Sequence, residues 1–237
     1  GELDEALKAQ TAARAPVVSA IAATPIEQLA ANPGLMRSAI EGGRAAFKVN
    51  CVQCHGSGAA GSKGYPNLND DDWLWGGDIA AIHTTLQHGI RSPGSEQARF
   101  SQMPAFADIL SKGQISALVS HVRAISGQGK PSAAGAQLFA ENCASCHGPD
   151  GKGMREQGAP NLTDGIWLYG GDRASLTQTI AKARYGVMPH WAGRLDDATI
   201  KMLAAYVHSL GGGEANPAPA TAAAATGETP TGETPTG

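Results

Sequence analysis

The sequence predicts an all-α protein built from two tandem copies of one helical lobe, and three observations support this prediction. The chain of 237 residues repeats one set of motifs over about 90 residues. Each copy closes with apolar residues at helical spacing, as in LVSHVRAI and LAAYVHSL. No segment of useful length alternates apolar and polar residues as a half-buried strand would. The sequence therefore favours helices throughout.

The repeated motifs occur in the same order in both halves. The matched pairs are GRAAFKVNCVQCHG with GAQLFAENCASCHG, PNLNDDDWLWGGD with PNLTDGIWLYGGD, and QMPAF with VMPHW. In each half a glycine (Gly43, Gly135) and then a phenylalanine precede the first cysteine. We expect this pair to let the first helix cross closely over the last, against His121 and Tyr206.

The composition of the connecting segments divides the chain into five parts. The segment SGQGKPSAAG, residues 126–135, consists of helix breakers and small residues and separates the copies. The final segment is rich in Ala, Pro, Thr and Gly without apolar periodicity, which predicts disorder. The expected parts are an N-terminal arm without a core at 1–38, a first domain at 39–128, a linker at 129–134, a second domain at 135–211 and a disordered tail at 212–237.

Charge and hydropathy exclude two classes of protein. The formal net charge of −3 is too mild for a nucleic-acid-binding protein, which would carry a basic stripe. The sequence contains no run of about 18 apolar residues, which is the length needed to span a membrane. The opening GELDEAL is acidic and lacks both an initiator methionine and a signal sequence. We expect a processed start, with a membrane anchor upstream.

The motif Cys-x-x-Cys-His occurs in both halves and is a signature of covalent c-type haem attachment. Two thiols three positions apart lie on adjacent turns of a helix and can bond both vinyl groups of one haem. The following histidine then lies under the iron as the proximal ligand. The candidate residues are Cys51, Cys54 and His55 for one haem and Cys143, Cys146 and His147 for a second.

Two other uses of these cysteines are possible on the sequence alone. A structural zinc site could use four cysteines, but zinc ribbons place the two pairs about 15–20 residues apart, far less than the separation here. A redox dithiol needs Cys-x-x-Cys but does not need the histidine. Both cysteine pairs carry it, and no cysteine is left over, which favours two haems.

Met103 and Met188 are the candidates for the sixth iron ligand. Each is followed by proline and then by an aromatic residue within three positions, in MPAF and MPHW. A proline there fixes the local backbone, which would hold a thioether in place. A lone methionine is more often core filler, but these two recur at matching places. The sequence predicts that His55 with Met103 and His147 with Met188 ligate the two irons.

Ligation of the first haem by two histidines, through His83 or His88, is the alternative for the first half. We interpret the remaining histidines as packing or flanking residues. The candidates for contacts to haem edges or propionates are Trp73, Trp75, Trp167, Arg91 and Arg184.

These motifs resemble the class I cytochrome c fold, twice. The two WLWGGD-type motifs beside both haem motifs resemble more specifically the dihaem subunit of cbb3-type cytochrome c oxidases, over about residues 35–211. The resemblance implies His/Met ligation in both domains and an electron-transfer role without catalysis in this subunit. It also implies a membrane helix before the haem domains and a location on the periplasmic side of the bacterial inner membrane.

The resemblance further implies that electrons enter from a soluble donor cytochrome c and pass to the other subunits of a terminal oxidase in aerobic or microaerobic respiration. It predicts no small-molecule substrate. The rival functions are a free periplasmic dihaem carrier and, where one iron is open, a dihaem peroxidase or gas sensor. An iron closed by methionine suits electron transfer and disfavours the last two.

Overall fold

The computed structural model describes residues 1–218, and within this range the protein is helical, with only isolated backbone bridges outside the helices. The all-α prediction is confirmed. The predicted disorder of residues 219–237 lies outside the described residues. The ten α-helices are α1 (Glu2–Ala23), α2 (Ile26–Leu29), α3 (Pro33–Asn50), α4 (Val52–His55), α5 (Ile79–His88), α6 (Lys112–Ile125), α7 (Ala133–Asn142), α8 (Ala144–His147), α9 (Arg173–Lys182) and α10 (Asp197–His208).

Side-chain caps determine where most of the longer helices begin. Asp78 and Asp172 accept hydrogen bonds from backbone N–H groups in the first turns of α5 and α9. Ser111 and Gln114 form a reciprocal capping box at the start of α6, and Asp196 caps α10. Such caps satisfy the otherwise unpaired N–H groups of a first turn. The helix starts are therefore encoded locally.

The helices pack into two lobes that differ from the two sequence repeats. Helix α3 crosses α10, whereas α6 packs against α7. The first lobe consists of α1–α5 with α10, and the second lobe consists of α6–α9. The second lobe is thus continuous in sequence and is inserted between α5 and α10 of the first.

This division differs from the expected domains at 39–128 and 135–211. Each repeat keeps its haem motif with its middle helix but gives its methionine loop and last helix to the lobe of the other repeat. The short connection at 126–132 offers a physical reason, because helices joined by a short loop pack as antiparallel neighbours. The sequence could not distinguish the two arrangements, since the packing motifs are the same in both halves.

Glycines allow both helix crossings. A Cβ atom on Gly43 would lie 2.0 Å from the Met202 carbonyl oxygen of α10, and one on Gly135 would lie 2.6 Å from the Ala117 carbonyl oxygen of α6. Beside them, aromatic rings meet across each crossing, with centroids 5.3 Å apart for Phe47–Tyr206 and 5.0 Å apart for Phe139–His121. The predicted glycine–aromatic crossing exists, with the last helix of the other repeat.

We expect Gly43→Ala to destabilise the protein, although alanine is the better helix former. Helix propensity alone would favour alanine by about 0.5–1 kcal/mol, but the added methyl group meets the backbone of α10. Overpacking of this kind costs about 1–3 kcal/mol. Denaturant unfolding of the haem-loaded protein measures the change. Gly113→Ala in α6 is the control, because the nearest atom to its Cβ would lie 3.9 Å away; an equal loss there would contradict the explanation.

The end of the N-terminal arm belongs to the core of the first lobe, which the sequence did not predict. Ile21, Ile26 and Leu29 are buried there, whereas residues 1–20 are exposed. The Lys201 ammonium donates to the carbonyl oxygens of Ala22 and Thr24, at 2.9 and 2.7 Å. A cation at this position satisfies carbonyl groups at the end of α1.

The segment after α10 is also ordered at its start, where the sequence predicted disorder from residue 212. The Gly212 carbonyl oxygen accepts a hydrogen bond from Trp73 Nε1 at 2.7 Å. Glu214 exchanges backbone and side-chain hydrogen bonds with Gly77 and forms an ion pair with Arg155 of the second lobe. Residues 212–216 thus form a strap that connects the end of the first lobe to both lobes.

Among the helices of residues 1–218, none has both the length and the apolar character that a membrane span requires.

Candidate haem sites

Each Cys-x-x-Cys-His motif forms the turn that follows the first long helix of its repeat. The Cys51 N–H donates to the Phe47 carbonyl oxygen at 2.9 Å, and the His55 N–H donates to the Cys51 carbonyl oxygen at 2.9 Å. The second motif has the same bonds. The helical turn α4 or α8 therefore holds both thiols and the histidine on one short segment, as covalent attachment of one haem requires.

A backbone carbonyl orients each histidine. His55 Nδ1 lies 3.0 Å from the Pro66 carbonyl oxygen, and His147 Nδ1 lies 3.1 Å from that of Pro160. A proton on Nδ1 donates to this carbonyl, which leaves the Nε2 lone pair free for a metal. Burial lowers the pKa of both histidines, against the opposing effect of the carbonyl, and so favours the neutral imidazole. The role of Pro66 and Pro160 was not predicted from the sequence, although both prolines begin the PNL motif that the two repeats share.

No disulfide joins any of the four cysteines. The pKa of Cys51 and that of Cys143 are both raised to about 11. Burial is the larger cause, and the charge of the neighbouring cysteine in each pair is the smaller one. The second cysteine of each motif is exposed. Within residues 1–218 no three His, Cys, Asp or Glu side chains converge as a metal site would require.

Met103 lies in the second lobe, with the haem motif of the other repeat. A cavity of about 770 Å³ is lined by Met103 together with Cys143, Cys146 and His147. Met103 also packs against the buried cluster that contains Cys143 and Phe139. The sequence had paired Met103 with His55; the structure places it with His147 instead.

Met188 lies in the first lobe, where its backbone pairs with Ile90. The Met188 N–H donates to the Ile90 carbonyl oxygen at 3.0 Å, and the Ile90 N–H donates back at 2.9 Å. The Met188 side chain packs against the same core cluster as Cys51 and Trp191. This loop therefore joins the lobe of His55, and the two methionine loops are exchanged relative to the sequence-based pairing.

Ser92 and α5 hold the loop after Met188. The His190 N–H donates to Ser92 Oγ at 3.0 Å, and His190 Nδ1 lies 2.8 Å from the same oxygen. The Trp191 N–H donates to the Leu86 carbonyl oxygen of α5 at 2.9 Å. The loop is thus fixed by repeat-1 residues on both sides of Met188.

The cavity beside Met103 and His147 fits a haem in polarity as well as in size, and its wall extends to first-lobe residues such as Tyr65, Pro66 and Arg91. Its walls are mainly apolar, as binding sites for large flat cofactors are. Trp167 Nε1 and Arg184 Nε are buried donors without a protein partner, and both residues line the cavity. Because buried donors are normally satisfied, these two fit the carboxylates of a haem. Trp73, the counterpart of Trp167, instead donates to the strap at Gly212.

The histidines proposed as alternative ligands have other surroundings. His83 is buried in α5, where burial is the largest cause that lowers its pKa; Lys201 is the next. Neither His83 nor His88 lines the cavity of the second lobe. His121 packs against Phe139. The wall of that cavity therefore offers Met103 and neither of these histidines, and bis-histidine ligation of the first haem stays an alternative.

The lobes meet through equivalent motifs. The Gly64 N–H donates to the Leu168 carbonyl oxygen at 2.9 Å. A Cβ atom on Gly64 would lie 3.5 Å from the ring of Tyr169, and one on Gly158 would overlap the ring of Trp75. Gly64 matches Gly158 and Tyr169 matches Trp75 in the repeats. The two glycine–aromatic contacts are therefore related by approximate twofold symmetry. The WLWGGD and WLYGGD motifs therefore form the interface between the lobes.

An acidic cluster lies beside this interface, next to a cavity of about 340 Å³ that Asp71, Asp72 and Arg155 line. Burial raises the pKa of Asp72 to about 6, and the neighbouring carboxylates of Asp164, Asp70 and Asp71 add to the rise. An unfolded aspartate titrates near about 3.9. Between these values the folded state binds more protons than the unfolded state, so ionisation of Asp72 opposes folding.

We therefore expect the stability of the protein to fall as the pH rises from about 4 to about 6, by an amount on the order of 1 kcal/mol from this group. The Asp72→Asn variant should lose this component of the pH dependence. Urea unfolding at a series of pH values measures it. The neighbouring variant Asp71→Asn, at an exposed position, should change the slope less; identical profiles for Asp72→Asn and the unmodified protein would contradict the assignment.

A known protein family matches both sequence repeats of this chain. The family model described as cytochrome c oxidase, cbb3-type, subunit III matches residues 38–122 and 131–207. The chain belongs to this family. The match covers two tandem cytochrome c domains, and the family implies a covalent haem c cofactor.

Three relatives of this subunit family are similar over most of their length. The cbb3-type cytochrome c oxidase subunit CcoP of Cereibacter sphaeroides is 56% identical over 213 residues, which cover 88% of this chain and 73% of the relative. The FixP subunit of Azorhizobium caulinodans is 53% identical, covering 85% and 70%. The FixP subunit of Rhizobium meliloti is 50% identical, covering 90% and 75%.

Proposed function

We propose that the protein carries two covalent haems c and relays electrons as the non-catalytic dihaem subunit of a cbb3-type oxidase. The haems would be attached to Cys51 with Cys54 and to Cys143 with Cys146. The pairing that the packing supports is His55 with Met188 and His147 with Met103. The observation that carries the proposal is that each haem motif shares its lobe with one methionine: Met188 packs against the same core cluster as Cys51, and Met103 lines the cavity of Cys143 and His147. A closed iron of this kind would suit electron transfer.

Haem iron supplies the one-electron chemistry when it is bound, and the chain supplies position and environment. Pro66 and Pro160 hold the proximal imidazoles in one tautomer. Met103 and Met188 would each supply a thioether to the iron in their lobe, and such a ligand would raise the reduction potential. Apolar walls exclude water, and the buried Trp167 and Arg184 donors can offset carboxylate charge in the second lobe.

The family supports a proposal for the partners and the location. The relatives are named as subunits of cbb3-type cytochrome c oxidase. We propose that this chain likewise joins a membrane oxidase on the periplasmic side of a bacterial inner membrane, held by an anchor upstream. A soluble cytochrome c would donate electrons, and oxygen reduction would take place in another subunit. A free dihaem carrier is the second candidate; co-purification of the full-length protein with an oxidase from membranes decides between them.

The carbon monoxide difference spectrum of the dithionite-reduced protein tests the proposal. Carbon monoxide binds ferrous haem only where a ligand position is free or yields easily. Two haems per chain by pyridine haemochromogen assay, with no spectral change under carbon monoxide, are the expected result. Binding at one haem would show that one methionine assignment fails and would favour the peroxidase or sensor function.

A further inference from the structure

One arginine contacts both methionine loops. Arg91 Nε donates to the Gly186 carbonyl oxygen at 2.6 Å, and Arg91 Nη1 donates to the Ser101 carbonyl oxygen at 3.0 Å. Gly186 precedes Met188 by two positions, and Ser101 precedes Met103 by two positions. The same guanidinium therefore bonds the matching backbone carbonyl of each loop, although the two loops serve different lobes.

The surroundings of Arg91 fix this geometry. Its backbone has a φ of 51°, in the left-handed region that non-glycine residues rarely occupy. Such a conformation persists only where the structure around it determines it. Here the Arg91 N–H donates to the Arg99 carbonyl oxygen at 2.8 Å, and the neighbouring Ile90 pairs with Met188. The turn aims the side chain at the point where the two loops meet.

A second contact joins the loops directly. Gln102, which precedes Met103, donates from Nε2 to the Tyr185 hydroxyl at 2.8 Å. The Arg91 guanidinium carbon lies 5.8 Å from the centroid of the Tyr185 ring. The guanidinium is half-buried, and its planar fork of donors suits two acceptors at once. Lysine, with one ammonium group, lacks such a fork.

We propose that Arg91 is a positioning residue shared by both axial methionines, so that one side chain sets the closure of both irons. The proposal rests on the proposed function in taking Met103 and Met188 as iron ligands. Arg91 acts through the loop backbones: it holds Gly186 and Ser101, and thereby limits how far each thioether can move from its iron. A disturbance of one loop would reach the other through the same guanidinium.

Imidazole binding to the ferric protein tests this, together with the methionine–iron charge-transfer band. In Arg91→Gln we expect both haems to bind imidazole about tenfold more tightly, which corresponds to about 1.4 kcal/mol of lost loop closure at each. The charge-transfer band of both haems should weaken. Arg91→Lys should show a partial effect, because an ammonium reaches one carbonyl at a time.

The two haems are distinguished by adding Arg91→Gln to the variants Met103→Ala and Met188→Ala, each of which keeps one methionine. A response in both backgrounds supports the proposal. A response in only one would show that Arg91 serves one lobe, for instance through a haem carboxylate in the cavity that it also lines, and would overturn the shared role. No response in either would overturn it as well.

Arg99 provides the matched control. It is half-buried like Arg91 and stacks on Trp75, but its donors go to Thr85 Oγ1 and the Ala81 carbonyl oxygen of α5. Arg99→Gln should leave imidazole affinity unchanged. An increase in affinity equal to that of Arg91→Gln would show that Arg91 only supports the fold in general and would overturn the proposal. Haem content and circular dichroism check folding, and Arg91→Lys decides the question where Arg91→Gln does not fold. A missing band in the unmodified protein would instead refute methionine ligation itself.

Discussion

Met188→Ala is expected to open the haem attached to Cys51 and Cys54 and to leave the other haem closed. The reason is that the Met188 loop pairs with Ile90 and packs in the first lobe. The reduced variant should therefore bind one carbon monoxide per chain, where the unmodified protein binds none. This is a change from full closure to full access at one iron.

The reciprocal variant and a single-haem background assign the site. Met103→Ala should open the haem at Cys143 and Cys146, because Met103 lines that cavity. In a protein in which Cys143 and Cys146 are replaced by serine, Met188→Ala should open the remaining haem and Met103→Ala should not. Opening by Met103→Ala in that background would restore the pairing expected from the sequence repeats.

A fragment of residues 98–185 is expected to fold alone as a cytochrome with a closed iron. It contains the whole second lobe: the Met103 loop, α6, α7, the Cys143–His147 motif and α9. The fragment 135–211, which is the second repeat, lacks α6 and Met103 and should carry an open haem on a poorly folded chain. Expression of both fragments with a haem-attachment system, followed by circular dichroism and carbon monoxide titration, measures the difference.

Two outcomes would contradict the lobe division. Closure of the iron in 135–211 would mean that the repeat is also the folding unit. An open iron in a well-folded 98–185 would mean that Met103 needs the first lobe, to which Arg91 links its loop. Fragment 98–185 carrying Met103→Ala is the matched control, since it removes only the thioether.

The local features of this protein could be predicted from the sequence, because each rests on a few adjacent residues. The Cys-x-x-Cys-His turn, the candidate methionines and the close glycine crossings all occur where the motifs indicated. The partner of each motif could not be predicted. Gly43 fits α10 through Tyr206, and nothing in the sequence of α6, with His121 at the matching place, excludes it.

Longer-range contacts were also missed, and for a related reason. Arg91 and Glu214 lie in segments without helical periodicity, so the pattern gave no sign that their side chains join separate parts of the chain. Ile21, Ile26 and Leu29 are buried, whereas Val17 and Val18 of the same apolar stretch are exposed. Such burial depends on the surface that α3 and α10 offer, which exists only after the chain has folded.

The insertion of the second lobe determines the order in which the two lobes can fold during synthesis. A chain that emerges from its amino end completes the second lobe before α10 exists, and the contacts of α1 and α3 with α10 close the longest loops of the described fold. On the proposed haem assignment, the first Cys-x-x-Cys-His motif would thus be presented for haem attachment on an unfinished lobe, while the second would already have its partner helix. A product cut short after α9 would leave the cell with one mature haem site and one exposed iron.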